Sequence, residues 1–159
     1  MLQEIIQKIS DINIFYQFLI IFVIGLIPFF EAHVAVPVGA FLNLPFIPVA
    51  ILGITANFLS VMLIITFANF LRSSFLKSRN KDSFFNKRFH KAHFYFNKYG
   101  VPGLSLMGPI IGANHISAFV SIVAGASKKQ VITWQIISII LWGVGTGAVI
   151  LYGIDIFSI

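Results

Sequence analysis

The chain has 159 residues, 58% of them hydrophobic and 10% charged, with a net charge of +6 and no cysteine. Soluble globular domains carry about 25% charged residues, and a soluble protein this apolar would expose large greasy patches. The composition excludes an ordinary soluble enzyme or binding module and points to an α-helical integral membrane protein, a single transmembrane domain over 1–159. Without cysteine there is no disulfide, thiolate metal site or thiol nucleophile. The basic excess is local. Arg72, Lys77, Arg79, Lys81, Lys87, Arg88, Lys91 and Lys98 face one acid, Asp82. A basic stretch between apolar ones reads as a cytoplasmic loop, and there is no room for a nucleic-acid-binding domain.

Residues 1–11 hold Glu4, Lys8 and Asp11. They lack the basic start of a cleaved signal, and no small-x-small site follows, so the first apolar segment is expected to be retained. From 12 to 71 the only formal charge is Glu31. One span needs about 20 residues. Residues 12–27 are continuous and helix-compatible, and they read as a first span. Pro28, Glu31, His33, Pro37, Gly39 and the Asn43-Leu44-Pro45 turn then make a poor straight span. Broken backbone at membrane depth is tolerated only where protein or a water-filled cavity covers it, so 28–45 reads as a re-entrant hairpin. Residues 46–71 form a second, clean span, with Gly53, Asn57 and Ser60 as packing positions.

Residues 72–83 read as a loop. In 81–99, Phe85, Phe89, Ala92, Phe96 and Tyr99 recur at helical spacing, with Lys87, Lys91 and Lys98 on another side, which predicts an amphipathic helix. It lies at the headgroup boundary or packs on the protein's own core. Residues 100–126 are broken by Pro102, Pro109 and by Gly100, Gly103, Gly108 and Gly112, and read as a second re-entrant hairpin. Residues 130–152 are a third span. The expected fold is therefore all-α integral membrane: three full transmembrane helices plus two re-entrant helical hairpins as an inverted repeat, with a basic amphipathic interfacial helix. Pro28, His33 and Gly39-Ala40 match Pro109, His115 and Ala124-Gly125. Inverted repeats with broken helices are a common transporter plan. The positive-inside bias places the protein in the cell membrane, multi-pass, with 72–99, Lys128 and Lys129 cytoplasmic and the N-terminus on the same side.

Glu31 is the sharpest chemical signal, since an intramembrane carboxylate is costly and faces a cavity or a partner. With His33 and His115 it would form one proton-responsive cluster; the alternative is a structural hydrogen bond or a carboxylate at a wet hairpin mouth. Asn114 and Asn57 could bond freed backbone groups or a ligand. Gly143 and Gly147 carry GxxxG spacing, for a homodimer face or for packing against a hairpin of the same chain. His90 and His93 are a weak metal pair without a third ligand. There is no nucleophile–base motif, metalloprotease motif or phosphate-binding loop, so neither an enzyme nor a cofactor is expected.

Two motifs carry a resemblance. Glu31-Ala-His33-Val-Ala35-Val36-Pro37-Val-Gly39 resembles the Glu-x-Arg-x-Ala-Ile-Pro-x-Gly stretch of the small multidrug export protein family, with His33 where that family has Arg. Pro109-Ile-Ile-Gly112-Ala113-Asn114-His115 resembles its second broken segment, without the second proline. More distantly the plan is similar to DedA-type (SNARE-associated Golgi) membrane proteins, through Ala124-Gly125, Lys128-Lys129 and Trp142. The resemblance implies a transporter, with proton-linked export of a small molecule or movement of a lipid or lipid carrier. Glu31, His33, Asn114 and His115 would bind substrate or proton, and Pro28, Pro37, Gly39, Pro109 and Gly112 would shape the hairpins. Membrane lipid is the expected partner. A non-transporting scaffold or envelope-maintenance protein is the alternative.

Overall fold

The computed structural model describes residues 4, 8, 9, 11–77 and 84–157, with side chains outside 71–93, Ile111 and the residues beyond 153. All regular structure among them is helical. In chain order the helices are α1 (Ile14–Leu26), α2 (Glu31–Phe41), α3 (Phe46–Lys77), α4 (Phe84–Ile111), α5 (Asn114–Ala124) and α6 (Lys128–Phe157). Two compact units result. One comprises Met1–Leu59 with Ile139–Ile159, the other Ser60–Ser138.

In the first unit α1 packs on α2. Asn13 starts α1, its Oδ1 accepting from the Phe15 N–H at 2.9 Å, which satisfies one of the orphan donors of a helix start. The residue before a proline is pushed out of helical geometry, and Ile27, ahead of Pro28, is extended (ψ 124°) and ends the helix. Thirteen residues at 1.5 Å each make about 20 Å, short of the roughly 30 Å hydrocarbon core. The described helix is thus shorter than the full span expected of 12–27, and it pairs with α2 as the two arms of a helical hairpin. Pro37 and Gly39 lie inside α2 rather than at its breaks.

Among the described residues, the length and composition of a membrane span belong to two helices, Phe46–Phe70 and Lys128–Gly153. They turn broad apolar faces outward: Ile47, Ile51, Leu63, Phe67 and Phe70 on α3, Val149 and Tyr152 on α6. Such stripes are what lipid contact calls for. Helix α3 continues past residue 71 to Lys77, so the expected loop at 72–83 is at least six residues shorter. Arg72 and Lys77 fall in this stretch, and long straight-chain basic residues sustain a helix. Residues 78–83 lie outside the described set.

Helix α4 begins at Phe84, within the segment expected to be amphipathic, and runs on across one non-helical residue, Gly100 (φ 62°), to Ile111. In the second unit its later part packs on α5. The two meet at a turn where Ala113 is extended, close to the break that Pro109 and Gly112 suggest.

Helices α2 and α5 are the same length and end in the same way. Leu44 N–H reaches Gly39 C=O and Asn43 N–H reaches Ala40 C=O, both at 3.0 Å; Ala126 N–H reaches Ser121 C=O at 3.0 Å and Gly125 N–H reaches Ile122 C=O at 3.1 Å. Each is a Schellman motif, with Asn43 (φ 56°) and Gly125 (φ 110°) in its left-handed position. The shift that carries Asn43 onto Gly125 carries Phe46 onto Lys128, the first residues of the long helices, and His33 onto His115. The repeat is thus a two-armed helical hairpin followed by a long helix.

Candidate functional site

The turn between α1 and α2 delivers Glu31. Phe29 (φ 76°) and Glu31 (φ 55°) are both left-handed, a conformation that costs a non-glycine residue about 1–2 kcal/mol. The carboxylate ends fully buried, and His33 Nδ1 lies 3.7 Å from its Oε2. Around this pair the first unit is tightly packed, with Gln17 and Asn57 buried among its apolar side chains. Ile21, Ala35, Val36, Leu42, Leu44, Val49 and Ala50 form its core. Gly143 and Gly147 of α6 face α2: a Cβ on Gly143 would land 3.1 Å from Ala32 Cβ, and one on Gly147 would land 2.5 Å from Val36 Cγ1. The GxxxG spacing is therefore used within the chain, against the helix that begins with Glu31.

The second unit buries a polar network. Gln135 Nε2 donates to Ser117 Oγ at 2.8 Å and to Ser105 Oγ at 3.2 Å. Ser138 Oγ lies 2.7 Å from Ser105 C=O and 3.2 Å from Asn114 Oδ1. Ser117 Oγ donates to Asn114 C=O at 2.9 Å. His115 Nε2 and Ser60 Oγ share a hydrogen bond of 2.7 Å. These groups come from α3, both arms of the α4–α5 hairpin, and α6. All are buried, and Ser105, Gln135 and Ser138 have no exposed surface.

A family model described as "Putative small multi-drug export protein" matches residues 31–144. The chain belongs to this family. The match starts at Glu31 and covers both the Glu31–His33 pair and the whole polar network of the second unit. No curated protein and no solved structure matches the chain, so the similarity to DedA-type proteins gains no support. Family membership and two long apolar helices with outward-facing apolar stripes together mark a membrane protein compatible with an export role.

Of the four residues expected to bind substrate or proton, Glu31 and His33 come together in the first unit. Asn114 joins the hydrogen-bonded network of the second, where His115 bonds Ser60. Pro28 sits in the α1–α2 turn, Pro109 in the last turn of α4 and Gly112 just beyond it. The side chains of His90 and His93 lie outside the described residues. Sequence reasoning passed over Ser105, Ser117, Gln135 and Ser138. A usable signal was present, because Asn114, Ser117 and Ser121, and likewise Gln135 and Ser138, recur at three- and four-residue spacing on one face of an apolar helix.

Proposed function

We propose that the chain is a proton-linked membrane exporter of small organic cations, with Glu31 as the group that alternates between proton and cargo. The observation that carries this is the buried Glu31 carboxylate, held at a left-handed turn residue of the α1–α2 hairpin. A buried carboxylate is disfavoured as a bare charge and takes a proton or a cation instead. Strained backbone at such a position is a recurrent feature of functional sites. His33 stands where the family pattern carries a permanent positive charge, and a titratable neighbour suits a site that must empty and refill.

In this reading α3 and α6 span the bilayer, and the helical pairs α1–α2 and α4–α5 are re-entrant, each entering and leaving on one side. With two spans rather than three, the segments before α1 and after α6 share one side of the membrane, and residues 72–98 with Lys128 and Lys129 occupy the other. Ten of the eleven basic residues then lie together on the cytoplasmic side. Only Lys8 is left opposite, among Glu4 and Asp11. A lipid headgroup is a second cargo reading, favoured by the exposed Tyr95 and Tyr99 rings, which stack, and by Lys98 over the Tyr99 ring at 5.1 Å. Aromatic and basic side chains of this kind gather at headgroup level.

The test is efflux of a fluorescent organic cation, and separately scrambling of a labelled phospholipid, from proteoliposomes under an imposed pH gradient. Wild-type protein is compared with Glu31→Gln. Gradient-driven efflux that disappears in the variant, with insertion unchanged, is expected. Efflux undiminished in the variant would remove Glu31 from the site. Scrambling without efflux would favour the lipid reading, and neither activity would favour a scaffold.

A further inference from the structure

The two copies of the repeat pack alike but with different chemistry. The shift that relates them sets Ala35, Gly39, Gly53 and Ala56 of the first unit against Ser117, Ser121, Gln135 and Ser138 of the second, and Val49 against Val131. In the first unit this seam closes with small groups. A Cβ on Gly53 would lie 3.2 Å from Val36 Cγ2 and 3.3 Å from Ala35 Cβ, and one on Gly39 would strike Val49. Hairpin and long helix therefore pack without any polar group at these four positions. The second unit places a buried hydroxyl or amide at every one of them. Helix-to-helix hydrogen bonding explains part of this. It does not explain Gln135 Oε1 and Ser121 Oγ, which are fully buried without a hydrogen-bond partner. An unsatisfied buried acceptor costs about 1–3 kcal/mol. Ser121 lies one helical turn from Ser117, which is bonded to Gln135, on the same face of α5.

We propose that this seam is a binding site for a small monovalent cation of the Na⁺ class, held by Gln135 Oε1 and Ser121 Oγ with help from the Ser105 and Ser117 hydroxyls. The donor set decides the class. All four side chains are neutral oxygen ligands, hard enough for an alkali ion. Calcium, close to Na⁺ in size, draws on carboxylates, and none belongs to this network. Neighbouring polar atoms of the seam are in direct hydrogen-bond contact, 2.7–3.2 Å apart, and packing this tight admits a small alkali ion more readily than a large one. The site stands apart from the role given to Glu31 and requires no transport to be observed.

The purified full-length chain in lipid nanodiscs is titrated with NaCl at constant ionic strength, with choline chloride as the balance and KCl in a parallel series. Thermal midpoint and tryptophan fluorescence are read together, since Trp134 adjoins Gln135. Saturable stabilisation by Na⁺ beyond K⁺ and choline is expected. Ser121→Ala, which removes no hydrogen bond seen in the structure, should weaken the apparent affinity about ten- to a hundredfold. Gln135→Leu should abolish the response. Should Gln135→Leu fail to fold, Ser121→Ala alone decides. Identical behaviour in the three salts would overturn the proposal, as would a Na⁺ response of unchanged affinity in Ser121→Ala. Because binding is read without transport, either result leaves the export reading to its own test.

Discussion

Two neighbouring glycines of α6, Gly147 packed on α2 and Gly145 exposed, should respond oppositely to the same substitution. Alanine for glycine in a helix interior gains about 0.8–1.0 kcal/mol from backbone propensity. At Gly145 a Cβ meets nothing within 4 Å, so Gly145→Ala should keep that gain. At Gly147 the Cβ would lie 2.5 Å from Val36 Cγ1 and 2.9 Å from Phe46 Cε2, where carbon atoms prefer 3.5–4.0 Å. Val36 is fully buried in α2, and a β-branched side chain in a helix has one strongly preferred rotamer, so it cannot swing clear. Overpacking of this kind costs about 1–3 kcal/mol. Gly147→Ala should thus fall about 1–3 kcal/mol below Gly145→Ala after both receive the same propensity gain. Gly143→Ala, with contacts at 3.1 and 3.2 Å, should fall between them. Equilibrium unfolding in mixed micelles with rising dodecyl sulfate, followed by Trp142 fluorescence, measures all three. Gly147→Ala as stable as Gly145→Ala would refute the packing of Gly147 on α2 and return the GxxxG spacing to a dimer face.

Two further outcomes follow from the geometry. Gly125 sits at φ 110°, so Gly125→Ala should destabilise by about 1–2 kcal/mol, whereas Asn43→Gly, at the matching turn, should change stability by no more than about 0.5 kcal/mol; the same micelle titration reads both. The chain has no cysteine, so single cysteines at Asp11, Lys98 and Gly153 can be tagged in intact cells by an impermeant thiol reagent. Asp11 and Gly153 should label together and Lys98 should not; labelling of Asp11 on the same side as Lys98 would restore a third span.

How much of this could be read in advance differs from element to element. The membrane class, the two long helices and the breaks at Pro28, at Asn43-Leu44-Pro45 and at Gly112 follow from composition and from the geometry of proline and glycine. The reach of the first apolar segment was not legible, because hydropathy measures how apolar a segment is, not how far its helix extends. Residues 14–26 are as apolar as any span, but Asn13 caps them at one end and the bond before Pro28 ends them at the other, so the helix covers only about two-thirds of the hydrocarbon core. The loop at 72–83 was overestimated because charge was taken as a stop signal, although Arg and Lys are good helix formers.

The site divides in the same way. Glu31 was visible because it is the one formal charge between residues 12 and 71. The serines and Gln135 were not, because each costs little on a hydropathy scale and reads, alone, as a packing residue. Their meaning appears only when the two copies of the repeat are set in register. In the first unit alanine and glycine fill the four seam positions at which the helical hairpin packs on the long helix. The same architecture in the second unit carries four hydrogen-bonding side chains at the equivalent seam, two of them with atoms left unsatisfied. Shape cannot be the reason for polar groups that a second copy of the same shape does without. The first unit concentrates its chemistry in a single buried acid at the hairpin turn, and the second spreads neutral oxygens along the hairpin seam. On the two proposals made above, the halves of the chain would take different ligands at these positions, proton or organic cation at Glu31 and a small inorganic cation at Gln135 and Ser121.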